Sequence, residues 1–226
     1  MLYPRVSIVV PVLNDAPALD HLLAELEPFD TNALEVIVVD GGSTDDSRAL
    51  AENAGCVLVA CQPGRGLQLA AGAARARGEW IWLLHADSRG VADSLRWLLV
   101  RGAQPCWGRF NVALGDASPV LQLVAYMMNL RSRLTGICTG DQGIFVHNRL
   151  LAACGGVPPQ PLMEDIELCR RLKRLARPDC QPRVLTTSSR RWKQRGVLRT
   201  VLQMWQFRLR YWLGADPDVL AREYYR

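Results

Sequence analysis

Five short clusters in this chain hold residue types that can do chemistry. The first is Val38-Val39-Asp40-Gly41-Gly42-Ser43-Thr44-Asp45. A carboxylate ends an apolar run, glycines allow a bend, and Ser43 or Thr44 stands ready to cap a helix. Asp40 is there either as an ordinary turn residue or as the acid that holds a nucleotide base or ribose. The second, Gly64-Arg65-Gly66, is either a loop with a solvated arginine or a flexible loop that brings Arg65 onto a phosphate or base. The third is His85-Ala86-Asp87, directly after the apolar run 80–84. His85 can be a hydrogen-bonded strand-end histidine and Asp87 a helix cap. A carboxylate at the end of a central strand is also suited to Mg2+ or Mn2+, which use one or two carboxylates plus substrate phosphates, and this is the reading taken for Asp87. The fourth is Met163-Glu164-Asp165-Ile166-Glu167-Leu168. Its acids complement a helix dipole, or else Asp165 or Glu164 is a general base aimed into a cleft. The fifth, Ser189-Arg190-Arg191-Trp192-Lys193, is a solvated basic turn with one buried tryptophan, or it sets Arg190 or Arg191 against a diphosphate with Trp192 near an acceptor.

The elements that must carry these clusters follow from periodicity. Apolar runs at 6–12, 35–39, 56–61 and 80–84 predict buried strands, and helical spacing predicts helices over 17–27, 48–54 and 64–77. Continuous apolar strands alternating with helices imply a doubly wound, mostly parallel α/β sheet covered on both faces. Ligands bind such sheets beyond the carboxyl ends of the strands, which is where Asp40, Arg65 and Asp87 fall. The second half is less regular. Strands are predicted at 107–114 and 143–147 and helices at 120–134 and 163–176, the last with Leu162, Ile166, Cys169, Leu172 and Leu175 on one side. A strong amphipathic helix is predicted over 197–213, with Leu198, Val201, Leu202, Trp205, Leu209 and Trp212 on one stripe and Arg199, Gln203, Gln206 and Arg210 opposite. One domain is expected over 1–226: a nucleotide-binding half to about 90, a catalytic and acceptor half over 91–193, and a helical extension from 194.

Composition narrows the function classes. The 226 residues are 49% hydrophobic and 22% charged, ordinary values for a globular domain. The net charge of +5 is unevenly placed, because residues 170–210 hold 13 basic side chains and one acid, Asp179. That segment suits an anionic partner: a pyrophosphate, an acidic acceptor or a membrane surface. No nucleic-acid-binding motif accompanies the charge, so no nucleic-acid partner is expected. The absence of a Walker loop and of G-x-G-x-x-G weakens ATPase and dinucleotide readings. Seven cysteines without a C-x-x-C pair suggest small buried hydrophobes in a reducing cytosol. MLYPRVSIVV runs into a strand without a signal-peptide cleavage region, and no apolar stretch is long enough to span a bilayer, so a cytoplasmic protein is expected.

In order, the chain reads SIVVPVLND, VIVVDGGSTDDS, GRGLQLAAGA, WIWLLHAD, TGDQGIF, PLMEDIELCRRLK and SSRRW. This succession resembles the family-2 glycosyltransferases over residues 5 to about 193. WGRF at 107–110, TGDQGIF at 139–145 and the tail QMWQFRLRYWLGADPDVLAREYY are similar to a bacterial branch labelled as arsenosugar-biosynthesis glycosyltransferases. The resemblance implies a GT-A fold and inverting transfer of a sugar from a nucleoside diphosphate donor, assisted by Mg2+ or Mn2+. It implies that Pro11, Asn14 and Asp15 face the nucleoside, that Asp40 contacts the base, and that Arg65 lies beside the nucleotide. Asp87 matches the last acid of the D-x-D metal motif, with His85 where the first acid stands. Asp165 matches the base of the E-D pair that includes Glu164, and Arg191-Trp192 resembles the R-W motif. Gly140, Asp141 and Gln142 are expected on the acceptor side. Gly41 stands where a second acid is common.

The expected partners are therefore a nucleoside diphosphate sugar, UDP- or GDP-linked, and an acceptor that is a small molecule or a lipid phosphate. The helix at 197–213 either packs its stripe on the domain or lies on the inner face of the membrane as a polyprenyl-phosphate sugar synthase would. The packed reading is taken, because Trp205 and Trp212 would fill a core edge. The rivals are a nucleotidyltransferase, which would show a Gly-rich basic loop where this chain has PVLNDAPAL, and a non-catalytic nucleotide-sugar binder, against which Asp87 and Glu164-Asp165 argue.

Overall fold

The computed structural model describes residues 4–102, 104–116 and 118–224, the side chain of Arg191 apart. In chain order the elements are β1 (Val6–Val12), α1 (Ala16–Leu26), β2 (Leu34–Asp40), α2 (Ser47–Asn53), β3 (Val57–Ala60), α3 (Arg65–Arg75), β4 (Trp80–Leu83) and α4 (Val91–Val100). They continue with β5 (Trp107–Leu114), α5 (Pro119–Thr135), a 3-10 turn at Gly140–Gln142, β6 (Ile144–His147), α6 (Asn148–Ala153) and α7 (Glu164–Lys173). The last are β7 (Asp179–Thr187), α8 (Arg190–Arg195), α9 (Val197–Trp212) and α10 (Pro217–Tyr224).

The strands form one sheet in the order β3-β2-β1-β4-β6-β5-β7. β1 pairs parallel with β2 and β4, and β2 with β3. β6 runs antiparallel between β4 and β5, and β7 closes the far edge parallel to β5. Alternation along β1 explains the two layers. Val6, Ile8, Val10 and Val12 pack with Leu19 and Leu22 of α1 and Leu95 and Leu98 of α4. Val9, on the opposite face, packs with Leu69 of α3 and Leu168, Cys169 and Leu172 of α7. Both faces are thus covered by helices, as the valine-rich strands require.

Some expectations change. β7 lacked a strand signal because its run, DCQPRVLTT, contains Pro182. Proline is tolerated only where a ladder N–H is not needed, and β7 is an edge strand with a register irregularity opposite Arg109 and Asn111. α7 begins at Glu164 and ends at Lys173, so Leu175, expected on the helix's apolar side, lies beyond its end and is exposed. The larger correction concerns α9. Leu198, Leu202, Trp205, Leu209 and Trp212 are all exposed, with Trp205 and Trp212 at 68% and 77% of their surface. The helix docks instead through Phe207, with Met204 and Tyr211, onto Leu162, Met163, Leu220, Ala221 and Tyr224. α9 is apolar on more than one side, so periodicity alone could not choose its docking face. Among the described residues no helix is long and apolar enough to cross a membrane.

Candidate active site

The carboxyl ends of β1, β2 and β4 and the amino end of α7 converge on one side of the sheet. The loops after β1 and β2 are knitted together first. Asn14 takes a left-handed conformation, φ 51°, rare without glycine. Its backbone N–H donates to Ser43 Oγ at 3.0 Å, and its Oδ1 accepts from the Thr44 N–H at 2.8 Å. Asn14 therefore spends its side chain on the neighbouring loop. Asp40 is buried at the end of β2, where its Oδ1 accepts from the Ser43 N–H at 3.0 Å and Arg48 approaches to 3.9 Å. Gln68 of α3 braces the same strand ends, donating from Nε2 to the carbonyls of Val12 and Val39 at 2.8 Å each. A Cβ on Gly41 would lie 3.1 Å from that amide nitrogen, so the acid common at this position would press on Gln68. Pro11 is half-buried on β1.

Asp87 stands in the loop after β4. That loop is clamped to β7 by two backbone hydrogen bonds, Arg89 N–H to the Thr186 carbonyl at 2.7 Å and the reverse at 2.9 Å. Asp15 faces it from α1's start. Burial raises the Asp15 pKa, the Asp87 and Asp45 charges add to this, and Arg190, 3.5 Å away, works against it. Arg190 thus comes to the carboxylate side of the site, and the Arg191 side chain lies outside the described residues. Trp192 packs, half-buried, near Leu121 and Ala125 of α5 and lines the cavity.

The adjacent carboxylates of α7 have separate surroundings. Glu164 is 1% exposed and accepts from Arg65 Nε at 2.5 Å. Burial raises its pKa, opposed by Arg65 and reinforced by Asp165. Arg65 is therefore held at the start of α3 rather than on a flexible loop. Gly66 allows this, because a Cβ there would sit 2.0 Å from the Gln160 carbonyl oxygen. Asp165 opens to the cavity, its Oδ2 accepting from the Gly140 N–H at 3.1 Å and its Oδ1 from the Ile166 N–H at 2.8 Å. Met163, immediately before it, has φ 64°, a second non-glycine residue in the left-handed region beside the site.

Of the three acceptor-side candidates, only Gly140 and Asp141 reach the cavity. Asp141 Oδ1 lies 3.2 Å from His85 Nδ1. His85 fills the space a Cβ on Gly140 would need, 2.4 Å from its Nε2. Gln142 is fully buried; its Nε2 donates to Asn129 Oδ1 and Ser132 Oγ, at 3.1 and 2.9 Å, and its Oε1 accepts from the Thr139 N–H. It is a clamp under the turn and does not face a ligand.

Among the described residues no group of three or more His, Cys, Asp or Glu side chains could enclose a metal ion. Asp87, His85 and Asp141 nonetheless border one cavity, and His85 Nε2 is buried without a partner. This donor set fits an Mg2+ or Mn2+ ion that draws most of its ligands from a bound diphosphate and water.

The cavity measures about 900 Å3. Asp87, Asp165, His85 and Asp141 line it together with side chains of α5, α8 and α9 and with Tyr224 of α10. Two arginines that sequence reasoning missed line it, Arg131 of α5 and Arg208 of α9. Burial, with the Arg208 charge nearby, lowers the Arg131 pKa to about 10. No local sequence signal marked either residue, since each reads as one more base on an amphipathic helix.

The family described as Glycosyl transferase family 2 matches residues 7–96, which run from β1 into α4 and include Asp40, Arg65 and Asp87. Solved structures extend the likeness. The mannosyltransferase from Pyrobaculum calidifontis in complex with GDP-Man and Mn2+ superposes with a TM-score of 0.61 at 19% identity, over 81% of this chain and 56% of that one. The glucosyl-3-phosphoglycerate synthase from Mycobacterium tuberculosis, in complex with Mn2+, UDP and glucosyl-3-phosphoglycerate, gives 0.58 at 20% identity, over 82% and 71%. A mycobacterial protein gives 0.58 at 22%, over 82% and 65%. This chain thus spans little more than half the length of the mannosyltransferase. No curated protein matches it. The class these likenesses define is structural: the fold is that of the GT-A glycosyltransferases.

Proposed function

We propose that the protein is a glycosyltransferase that moves a hexosyl group from a nucleoside diphosphate sugar to an acceptor hydroxyl with inversion. The observation that carries this reading is the division of labour in α7. Glu164 is consumed by Arg65, while Asp165 presents its carboxylate to the cavity that Asp87 borders. The family match over 7–96 and the nucleotide–Mn2+ complexes of the structural neighbours support the donor class.

The nucleoside lies over the loops after β1 and β2, near Pro11, Asn14, Asp15 and Asp40. Asp165 takes the proton of the acceptor hydroxyl as its oxygen bonds to the anomeric carbon. The bond from that carbon to the diphosphate oxygen breaks, and the electron pair leaves with the nucleoside diphosphate. Arg190, with Arg191 beside it in the chain, offsets the developing negative charge. Asp87 would hold a divalent ion, which would supply Lewis-acid stabilisation of the diphosphate.

Calorimetric titration with UDP, GDP, CDP and dTDP, with and without Mn2+, tests the reading. One diphosphate binds, more tightly with Mn2+, and Asp87→Ala loses the metal dependence. Silence from all four, or an Asp87→Ala curve unchanged by Mn2+, sinks it.

A further inference from the structure

Arg131 and Arg208 are the groups this mechanism leaves unused. Both line the cavity. Arg131 Nη2 and Arg208 Nε are buried and lack a hydrogen-bond partner. Buried N–H donors of a charged group without an acceptor are costly, and two like charges facing the same space add repulsion. An anion bound in the cavity that both guanidinium groups border would offset the two charges. Both arginines line the same cavity as Asp165, the proposed general base.

The walls around the pair are apolar. Leu123, Val124 and Met127 of α5 and Val201, Met204 and Trp205 of α9 line the cavity. Leu123, Met127 and Trp205 also stay exposed at 60%, 51% and 68%, so the apolar lining continues outward to the surface. Methionines in such a groove adapt to chains of irregular shape. α9 carries no acidic residue, and Arg195 at the end of α8 and Arg199 in the first turn of α9 are exposed, so this end of the helix complements an anion.

We propose that this cavity is the acceptor subsite and takes a phosphate carried on an apolar chain, the phosphate between Arg131 and Arg208 and the chain leaving between α5 and α9. The proposal rests on the glycosyltransferase reading for what happens next: a hydroxyl of the same molecule reaches Asp165. The site itself stands on the cavity and its arginines.

Dodecyl phosphate below its micelle concentration is the probe, titrated calorimetrically against inorganic phosphate, dodecanol and dodecyltrimethylammonium. Dodecyl phosphate binds at least about tenfold more tightly than the other three, and Arg131→Gln and Arg208→Gln each weaken it about tenfold or more. Met127→Glu, a change at an exposed position that leaves folding intact, weakens it as well by placing a charge in the chain's path. Mn2+-dependent nucleotide binding, measured on the same variants, is unchanged. Inorganic phosphate binding as tightly as dodecyl phosphate removes the apolar chain, and dodecanol binding as tightly removes the phosphate. A loss of nucleotide binding in well-folded Arg131→Gln assigns the arginines to the donor and overturns the proposal. If dodecyl phosphate binds through the arginines while no nucleotide binds wild type, the subsite stands and the transferase reading fails.

Discussion

Glu164 and Asp165 are neighbours in sequence with opposite fates. A residue at a helix start points either back under the preceding element or out past it. Glu164 turns under α3 and meets Arg65, while Asp165 turns out to the cavity. The roles differ accordingly. Asp165→Asn keeps the shape but cannot take a proton, so kcat falls by about 10²–10⁴-fold while nucleotide affinity holds. Glu164→Gln leaves Arg65 facing a weaker acceptor in a buried place. It lowers stability by roughly 1–3 kcal/mol, read in a thermal melt, with a smaller fall in kcat than Asp165→Asn. A reversed order of kcat losses would move the base to Glu164.

The elements are held in register by polar braces at both ends of the sheet. At the amino end of β2, Glu35 is buried, accepting from Ser7 Oγ at 2.6 Å and from Arg77 Nε at 2.8 Å. Burial pushes its pKa up, but the Ser7 and Arg77 hydrogen bonds and the Arg77 charge bring the net value below the ordinary one. A carboxylate with a depressed folded pKa contributes stability above its unfolded pKa and loses it as pH falls through the folded one. Glu35→Gln is therefore less stable than wild type at neutral pH, by roughly 1–3 kcal/mol. The gap closes as pH drops below about 4, the ordinary Glu range. Urea melts across pH check this, and a gap that widens toward acid contradicts it. At the site end, Asn129 of α5 bonds both backbone groups of Val112 at 2.9 Å and receives Gln142. Buried Arg109 adds a bond from Nη2 to the Asn129 carbonyl at 2.9 Å. WGRF and TGDQGIF are thus two halves of one brace that fixes α5, and with it Arg131, against the turn bearing Asp141.

Across the whole molecule, the C-terminal helices support the site from behind. Phe207 is 5% exposed and packs edge-on to Tyr224 at 5.7 Å, over Leu162 and Met163. Met163 holds the strained turn that aims Asp165. Phe207→Ala leaves a cavity there and costs about 3–5 kcal/mol. Its kcat falls more than its nucleotide affinity, since the donor loops lie on β1 and β2 far from the loss. Melts and paired kinetic and binding measurements check this. Equal loss of both would show that α9 supports the entire site. The face of α9 that this packing leaves outward is the apolar, basic face beside the cavity mouth.

The sequence by itself determined the parallel core and its ligand side. Valine-rich runs and Gly/Ser/Thr/Asp turns act between near neighbours, so β1 to β4, the bends after them and the placement of Asp40 and Asp87 at strand ends were legible without tertiary contacts. Long-range choices were not. Which of Glu164 and Asp165 faces the cavity depends on Arg65, about a hundred positions away in the chain, with the close approach that Gly66 allows. Which face of α9 docks depends on α10 and Met163, because the helix offers apolar side chains on several sides. β7 was hidden by Pro182, which an edge strand tolerates and a central one does not. The pairing of Arg131 with Arg208 joins two helices whose local patterns are those of ordinary amphipathic surfaces, so only their packing across the cavity turns two scattered charges into a candidate site.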